Sequence, residues 1–288
     1  MLILDRYQPT YEAGSGGFAT VVVAWDTRLD REVAIKCLPL EDAATRTLSV
    51  EQINVGLNNL QNPYANSESI SIMLDSDFAQ QSSIPGLEEA RTAALLNDPN
   101  IASIYDFEIQ GNMAYIIMEL VDGISLTGLM KYFPETLDAD MVAAVFKAVS
   151  HAIEVAHKNH VLHLDVKPDN VLINTQGQIK VVDFGLARLA DGFGFGVATG
   201  GTIGYMPPEQ MEREELDERC DQWALASLTY EMLARGENPF RASSIDEALD
   251  KIYDAEIVIP SLLMEGIGED LDDAIFRALD PDKEGRYP

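Results

Sequence analysis

The sequence predicts an α+β fold in two parts, a β-rich first part followed by a mainly helical second part. The first part holds four strand-like runs: residues 20–25, 32–38, 101–109 and 113–120. In the second part apolar residues recur at helical spacing, over residues 141–159, 223–233, 245–252 and 271–279. We therefore assign residues 1–120 to the first part and residues 121–288 to the second.

Local turn signals complete this assignment. The polar segment Asp26–Asp30 suits a hairpin turn, and Gln176-Gly177 suits another between strands at 171–174 and 179–182. Residues 43–86 are rich in Asn, Gln and Ser without a sustained period, which indicates an insertion loop. A helix is predicted over residues 87–96, directly after that insertion.

Charge and composition narrow the functional classes. The chain carries 20 basic and 48 acidic residues, a net charge of −28. Such a surface repels nucleic acid and anionic membranes and favours basic partners. A general acidic character of the proteins of the source organism explains the charge equally well. No run approaches the ~20 apolar residues of a membrane span. We therefore expect a cytoplasmic domain, and a membrane anchor elsewhere in a longer chain remains open. Cys37 and Cys220 form no CxxC pair, and we expect both to be reduced thiols.

A glycine-rich turn begins at Gly14 and leads into the β-branched residues Thr20-Val21-Val22. Because a strand follows the glycines, the turn joins two strands, whereas a dinucleotide-binding turn leads into a helix. Alone it is weak evidence, since plain hairpins have similar turns. In the functional interpretation, backbone N–H groups of Ser15, Gly16, Gly17 and Phe18 approach phosphate oxygens.

Lys36 lies in the apolar strand Val33-Ala34-Ile35-Lys36. A lone strand lysine commonly faces solvent; the alternative is a cation directed at the α- and β-phosphates of a nucleotide. That role needs a carboxylate partner, for which we prefer Glu89 over its neighbour Glu88.

The strongest signal is the segment His163-Leu164-Asp165-Val166-Lys167-Pro168-Asp169-Asn170, followed by Asp183-Phe184-Gly185. Phosphoryl transfer needs an oriented acceptor hydroxyl, a neutralised γ-phosphate and oxygen ligands for Mg²⁺. Asp165 suits the first task, Lys167 the second, and Asn170 with Asp183 the third. His163 is better explained as a structural residue than as a metal ligand.

Together these motifs resemble the eukaryotic-like (Hanks-type) Ser/Thr protein kinases, and they are similar in particular to the bacterial members of that family. The resemblance implies the bilobal protein kinase fold, an ATP site between the lobes, and a Lys36–Glu89 ion pair. It also implies a set of nucleotide contacts: Ala13, Gly14, Ser15, Gly16, Gly17, Phe18, Val21, Ala34, Met118, Glu119, Val121 and Leu172. ATP and Mg²⁺, with Mn²⁺ as an alternative, are the implied cofactors.

Later motifs agree with this resemblance. Pro207-Pro208-Glu209 stands where the family has Ala-Pro-Glu, and Arg286 stands where the buried partner of that Glu is expected. Asp221 and Trp223 match the Asp-x-Trp element that braces the catalytic loop.

Two departures concern regulation and nucleotide binding. Leu164 replaces the Arg that normally precedes the catalytic Asp and pairs with an activation-loop phosphate. We therefore expect activity to depend weakly on phosphorylation, although Thr199 and Thr202 remain candidate phosphosites. Ala13 is smaller than the branched residue usual above the adenine.

Three functions fit the sequence: an active Ser/Thr kinase, a pseudokinase that binds nucleotide as a scaffold, and a small-molecule phosphotransferase. Lys36, Asp165, Asn170 and Asp183 are all present, which favours activity. The Thr202 region resembles a peptide-docking platform, which favours protein substrates. Basic substrates and a transient dimer for autophosphorylation are further expectations.

Overall fold

The computed structural model describes residues 2–15, 19–39, 91–184, 203–254 and 257–288. Their chain forms two compact units. The first unit holds the described residues up to 39 together with 106–117, and the second holds 91–105 and the described residues from 118 onward. The predicted insertion at 43–86 lies outside the described residues. The predicted division at residue 120 stays a prediction.

A five-stranded sheet dominates the N-terminal half of the chain. Its strands are β1 (Tyr7–Ser15), β2 (Thr20–Asp26), β3 (Arg31–Pro39), β4 (Ile104–Gln110) and β5 (Met113–Met118). The order across the sheet is β1-β2-β3-β5-β4, and the pairs β1–β2 and β2–β3 are antiparallel. The predicted strands at 20–25, 32–38 and 113–120 thus correspond to β2, β3 and β5.

The first unit is stabilised by an apolar core and by the ion pair of Arg6 with Asp26. Tyr7, Val33 and Ile35 are almost fully buried in that core. Arg6 donates to the buried carboxylate of Asp26 through Nε at 2.9 Å and Nη2 at 2.7 Å. These bonds, with backbone N–H groups of the following turn, lower the pKa of Asp26 to about 2.

The second unit is mainly helical. Its helices are α1 (Leu126–Tyr132), α2 (Ala139–Lys158), α3 (Pro208–Met211), α4 (Arg219–Leu233), α5 (Ile245–Asp254) and α6 (Glu269–Ala278). A small antiparallel sheet joins β6 (Gly123–Ser125), β7 (Val171–Asn174) and β8 (Ile179–Val181) in that order. The predicted α+β class, with a β-rich N-terminal region and a helical C-terminal region, is confirmed.

The core of this unit forms around α4, which is buried along nearly its whole length. Trp223, Leu228, Met232 and Leu233 are fully buried there. Helix α2 faces the same core with apolar residues at i, i+3 and i+4 spacing: Val142, Val145, Val149, Ala152, Ile153 and Ala156.

Several element boundaries differ from those predicted. The strand predicted from residue 101 begins at 104, because Ile101 instead forms a parallel bridge with Val181. Of the helix predicted over 87–96, the described part is helical over residues 91–93. Strand β6 and helix α1 were not predicted. Gly123 is required in β6, since a Cβ there would lie 2.0 Å from the carbonyl oxygen of Ile173.

Candidate active site

The loop that carries Asp165 is held by a buried carboxylate from α4. Asp221 is fully buried and accepts the backbone N–H groups of His163 at 2.8 Å and Leu164 at 2.7 Å. It also accepts Nε2 of His157, at 2.8 Å. Two charge-assisted bonds therefore fix the main chain directly before Asp165, and the bond from His157 holds the Asp221 carboxylate in place.

The same loop holds an unusual backbone conformation. Leu164 has φ 61°, in the left-handed region that branched and bulky residues rarely occupy. Such a residue costs roughly 1–2 kcal/mol. Its buried side chain, its bond to Asp221 and the bond from Gln210 Nε2 to its carbonyl oxygen at 3.0 Å offset that cost.

His163 acts as a support inside the loop. Its Nε2 lies 3.0 Å from the carbonyl oxygen of Val182 and so carries the proton. Its Nδ1 then accepts the N–H of Asp165, at 3.2 Å. The ring meets Phe184 edge-on, at 4.5 Å between centroids. His163 thus connects the Asp165 loop to the segment that carries Asp183, which agrees with its predicted structural role.

Two predicted site residues, Lys167 and Asn170, bind Asp165. Lys167 Nζ donates to both carboxylate oxygens of Asp165, at 2.9 and 2.7 Å. Asn170 Nδ2 donates to the Asp165 carbonyl at 2.8 Å and to its carboxylate at 3.0 Å. Because both bonds use the amide nitrogen, Oδ1 of Asn170 is the atom suited to a cation.

Asp183 follows β8 and has φ 69°, again in the left-handed region. Phe184 beside it is buried in the core of the second unit. Within the ranges that the structure describes, no group of three His, Cys, Asp or Glu residues could hold a metal ion by itself. The carboxylate of Asp183 and the amide oxygen of Asn170 are hard oxygen ligands of the kind that Mg²⁺ prefers, together with water and phosphate.

A second buried ion pair braces α3 against the C-terminal segment. Arg286 donates to Glu209 through Nη1 at 2.7 Å and Nη2 at 2.9 Å, and both residues are buried. The guanidinium also lies 4.9 Å from the ring centroid of Trp223. The sequence motif predicted this pair, and the structure contains it.

The segment at 203–205 is anchored by a third buried carboxylate. The hydroxyl of Tyr205 donates to Glu231, whose other oxygen accepts Nη2 of Arg241 at 3.0 Å. Burial raises the pKa of Glu231. This network fixes the segment that follows the candidate phosphosites.

In the first unit, several predicted nucleotide residues share one face of the sheet. Val21 on the middle strand β2 pairs with Lys36 on β3 and with Gly14 on β1. Ala34, two residues before Lys36, points to the same face by strand alternation. Lys36 is half-buried, so it does not project fully into solvent as a lone strand lysine commonly does.

The predicted hinge lies directly after β5. Met118 ends the strand and is buried, while Glu119 and Val121 are half-buried. The N–H of Glu119 donates to the carbonyl of Ser103 at 2.8 Å, so its carbonyl oxygen is the group suited to an adenine. On β7, Leu172 is half-buried, whereas Ala13 on β1 is exposed.

Some predicted residues cannot be placed. Gly16, Gly17, Phe18, Glu89, Thr199 and Thr202 lie outside the described residues, as does the side chain of Ser15. The Lys36–Glu89 ion pair therefore stays a prediction.

Comparison with known proteins shows the family of the chain. The family model described as the protein kinase domain matches residues 71–286. The chain belongs to the protein kinase family. The kinase-domain match starts inside the predicted insertion, but whole-chain relatives also cover the N-terminal strands.

Three relatives illustrate the similarity of this kinase domain to bacterial enzymes. Serine/threonine-protein kinase PknB of Mycobacterium tuberculosis is 31% identical over 293 residues, which is 98% of this chain and 41% of that protein. PknB of Mycobacterium leprae is 30% identical, over 98% of this chain and 41% of the relative. Serine/threonine-protein kinase PknL of Mycobacterium bovis is 28% identical, over 99% and 63% respectively.

The kinase domain thus spans about two fifths of the length of the first relatives it matches. These matches confirm the resemblance to bacterial, eukaryotic-like Ser/Thr kinase domains. Among the helices in the described ranges, none combines the length and apolar character that crossing a membrane requires.

The sequence interpretation missed two residues that the structure links to the site. Gln210 binds the Leu164 carbonyl, and Lys180 binds Glu119 at 3.0 Å. Lys180 gave one weak signal, a cation between the apolar residues Ile179 and Val181.

Proposed function

We propose that this kinase domain transfers the γ-phosphoryl group of ATP to Ser or Thr hydroxyls of protein substrates. The observation that carries the proposal is the cluster at Asp165, where Lys167 and Asn170 both donate to the same carboxylate. Phosphoryl transfer depends on positioning and electrostatics, and this cluster fixes both an acceptor of protons and a cation.

Each residue has a separate role in the proposal. Asp165 orients the acceptor hydroxyl and takes up its proton, and Lys167 neutralises charge on the transferred group. Asn170 Oδ1 and the Asp183 carboxylate would hold a divalent cation. The protein kinase family uses ATP with such a cation. We propose Mg²⁺, with Mn²⁺ as the alternative, because hard oxygen ligands suit both ions.

Nucleotide binding is assigned to the residues that the sequence predicts for it. Lys36, paired with Glu89, would bind the α- and β-phosphates beneath the turn at Gly14. The Glu119 carbonyl and the Val121 backbone would bind the adenine edge. Apolar contacts with the ring come from Val21, Ala34, Met118 and Leu172.

Ser/Thr specificity and protein substrates are supported by the names of the relatives, which are serine/threonine-protein kinases. Lys167 in the catalytic loop agrees with that specificity. The acidic composition favours basic substrates. A transient dimer would allow autophosphorylation at Thr199 or Thr202. A pseudokinase would more readily tolerate loss of the Asp165 cluster, which is intact here.

The test is incubation of the purified chain with labelled ATP, Mg²⁺ and a basic protein substrate, with phosphosites identified by mass spectrometry. Asp165→Asn should lower transfer by roughly 10²–10⁴-fold while nucleotide affinity stays nearly unchanged. Asp140→Asn, an exposed carboxylate at the start of α2, is the matched control and should retain full activity. Equal transfer by wild type and Asp165→Asn would reject the proposal.

A further inference from the structure

Lys180 occupies a central position in the second unit. It lies on β8 directly opposite Leu172 of β7 and three residues before Asp183. Its neighbours Ile179 and Val181 are buried, so the alternation of the strand turns Lys180 to the other face. That face also holds Leu172, which is one of the proposed adenine contacts.

The ammonium group of Lys180 is fixed by two groups. Nζ lies 3.0 Å from the Glu119 carboxylate and 3.4 Å from the carbonyl oxygen of Ile101. The side chain of Lys180 is 11% exposed and that of Glu119 is 25% exposed. Water therefore screens this pair much less than it screens a surface pair such as Lys158–Glu154, whose side chains are more than half exposed.

Glu119 is linked in turn to Ser103. The N–H of Glu119 donates to the Ser103 carbonyl at 2.8 Å, and the N–H of Ser103 donates to the Glu119 carboxylate at 3.2 Å. The backbone and the side chain of Glu119 therefore both bind Ser103, and together these two bonds hold the main chain at Glu119.

The segment before Ser103 returns to β8. The N–H of Val181 donates to the Asn100 carbonyl at 2.8 Å, and the N–H of Ala102 donates to the Val181 carbonyl at 2.9 Å. Asn100 Nδ2 adds a bond to the Ile179 carbonyl at 2.8 Å. Hydrogen bonds thus connect β8 to the 100–103 segment and that segment to Glu119. The bond from Lys180 to Glu119 connects Glu119 directly back to β8.

We propose that Lys180 is a positioning residue for the nucleotide. It fixes the carbonyl oxygen of Glu119, which would bind the adenine, relative to Leu172 and to the strand that leads to Asp183. Its ammonium group is occupied by Glu119 and Ile101, so it acts through Glu119 and not by touching the nucleotide. This inference rests on the proposed function, because it assumes that Glu119 binds adenine.

Removal of the cation should weaken nucleotide binding more than turnover. Adenine contacts are equal in the ground state and the transition state, so their loss raises KM and leaves kcat nearly constant. For Lys180→Met we expect the KM for ATP to rise about tenfold, with kcat within about twofold of wild type. Direct binding of a fluorescent ATP analogue should weaken by the same factor, which measures the effect without any transfer.

Four variants give the test its controls. Lys180→Arg keeps the charge and should restore most of the affinity. Glu119→Gln should reproduce the defect, and the double variant Lys180→Met/Glu119→Gln should be no worse than either single variant. Lys158→Met removes an exposed lysine on α2 and should change neither KM nor affinity. If Lys180→Met does not fold, Glu119→Gln and Lys180→Arg still carry the comparison.

The outcomes separate this inference from the proposed function. Wild type that transfers phosphate while Lys180→Met and Glu119→Gln keep its KM and affinity would overturn the inference alone. A purely structural Lys180 would give that result together with a lower melting temperature. A raised kcat at constant KM would overturn it as well. Wild type that binds no ATP analogue would reject both.

Discussion

The Asp165 loop and the N-terminal sheet are held in place by different physical means. The sheet is built from consecutive strands, since β1 pairs with β2 and β2 pairs with β3 along their lengths. The loop has almost no regular structure of its own. It is fixed by Asp221, which is 58 residues further along the chain than His163.

The difference shows where this chain uses buried charge. The core of the first unit is apolar, and its one described buried carboxylate, Asp26, lies at a turn. The second unit buries Asp221, Glu209 and Glu231 beside the segments of the candidate site. A buried charge is stable only when its partners are correctly placed, so these groups favour one loop geometry over others.

Loss of the Glu209–Arg286 pair should have the largest effect on stability. Arg286→Met leaves the buried Glu209 carboxylate without its bidentate partner, and we expect a loss of about 3–5 kcal/mol in the free energy of unfolding. Chemical denaturation measures it, with the exposed Arg213→Met as the matched control. A loss no larger than that of the control would contradict the importance of buried charge in the second unit.

Replacement of Asp221 should separate catalysis from stability. Asp221→Asn weakens the acceptor of two loop N–H groups, and we expect kcat to fall at least about hundredfold through misplacement of Asp165. Asp272→Asn is the matched control, because Asp272 is also buried and accepts two bonds from Ser261, at 2.7 Å each.

Both variants should lower the melting temperature, but Asp272→Asn should keep the wild-type kcat. Equal loss of kcat in the two variants would show that any buried carboxylate of this unit supports activity through stability alone.

The Arg6–Asp26 ion pair of the first unit should appear in the pH dependence of stability. The pKa of Asp26 is about 2 in the folded chain, below its ordinary value. Its contribution is therefore present above pH ~4 and is lost as the pH falls towards 2, an effect of about 2 kcal/mol. The difference in unfolding free energy between wild type and Asp26→Asn should shrink over that range. A constant difference would mean that Arg6 does not lower this pKa.

Much of the fold could be predicted because its signals are local. Strands β2 and β3 are apolar runs rich in β-branched residues on either side of a polar turn. Helix α2 shows an apolar stripe, and Asp138 accepts the N–H of Met141 as its N-cap. The candidate site residues Asp165, Lys167 and Asn170 also carry a local signal, since they lie within six consecutive positions. Helix α1 escaped prediction because it is short and contains Gly128.

The sequence by itself determined the order of the elements, the α+β class and the identity of the candidate catalytic residues. Only the tertiary structure decided how Asp165 is presented, because its support comes from Asp221, and how Glu119 is held, because its partner is Lys180. Residues 61 positions apart, such as Glu119 and Lys180, share no local pattern. Their pairing exists only once the chain has folded and water has been excluded from the space around both charges.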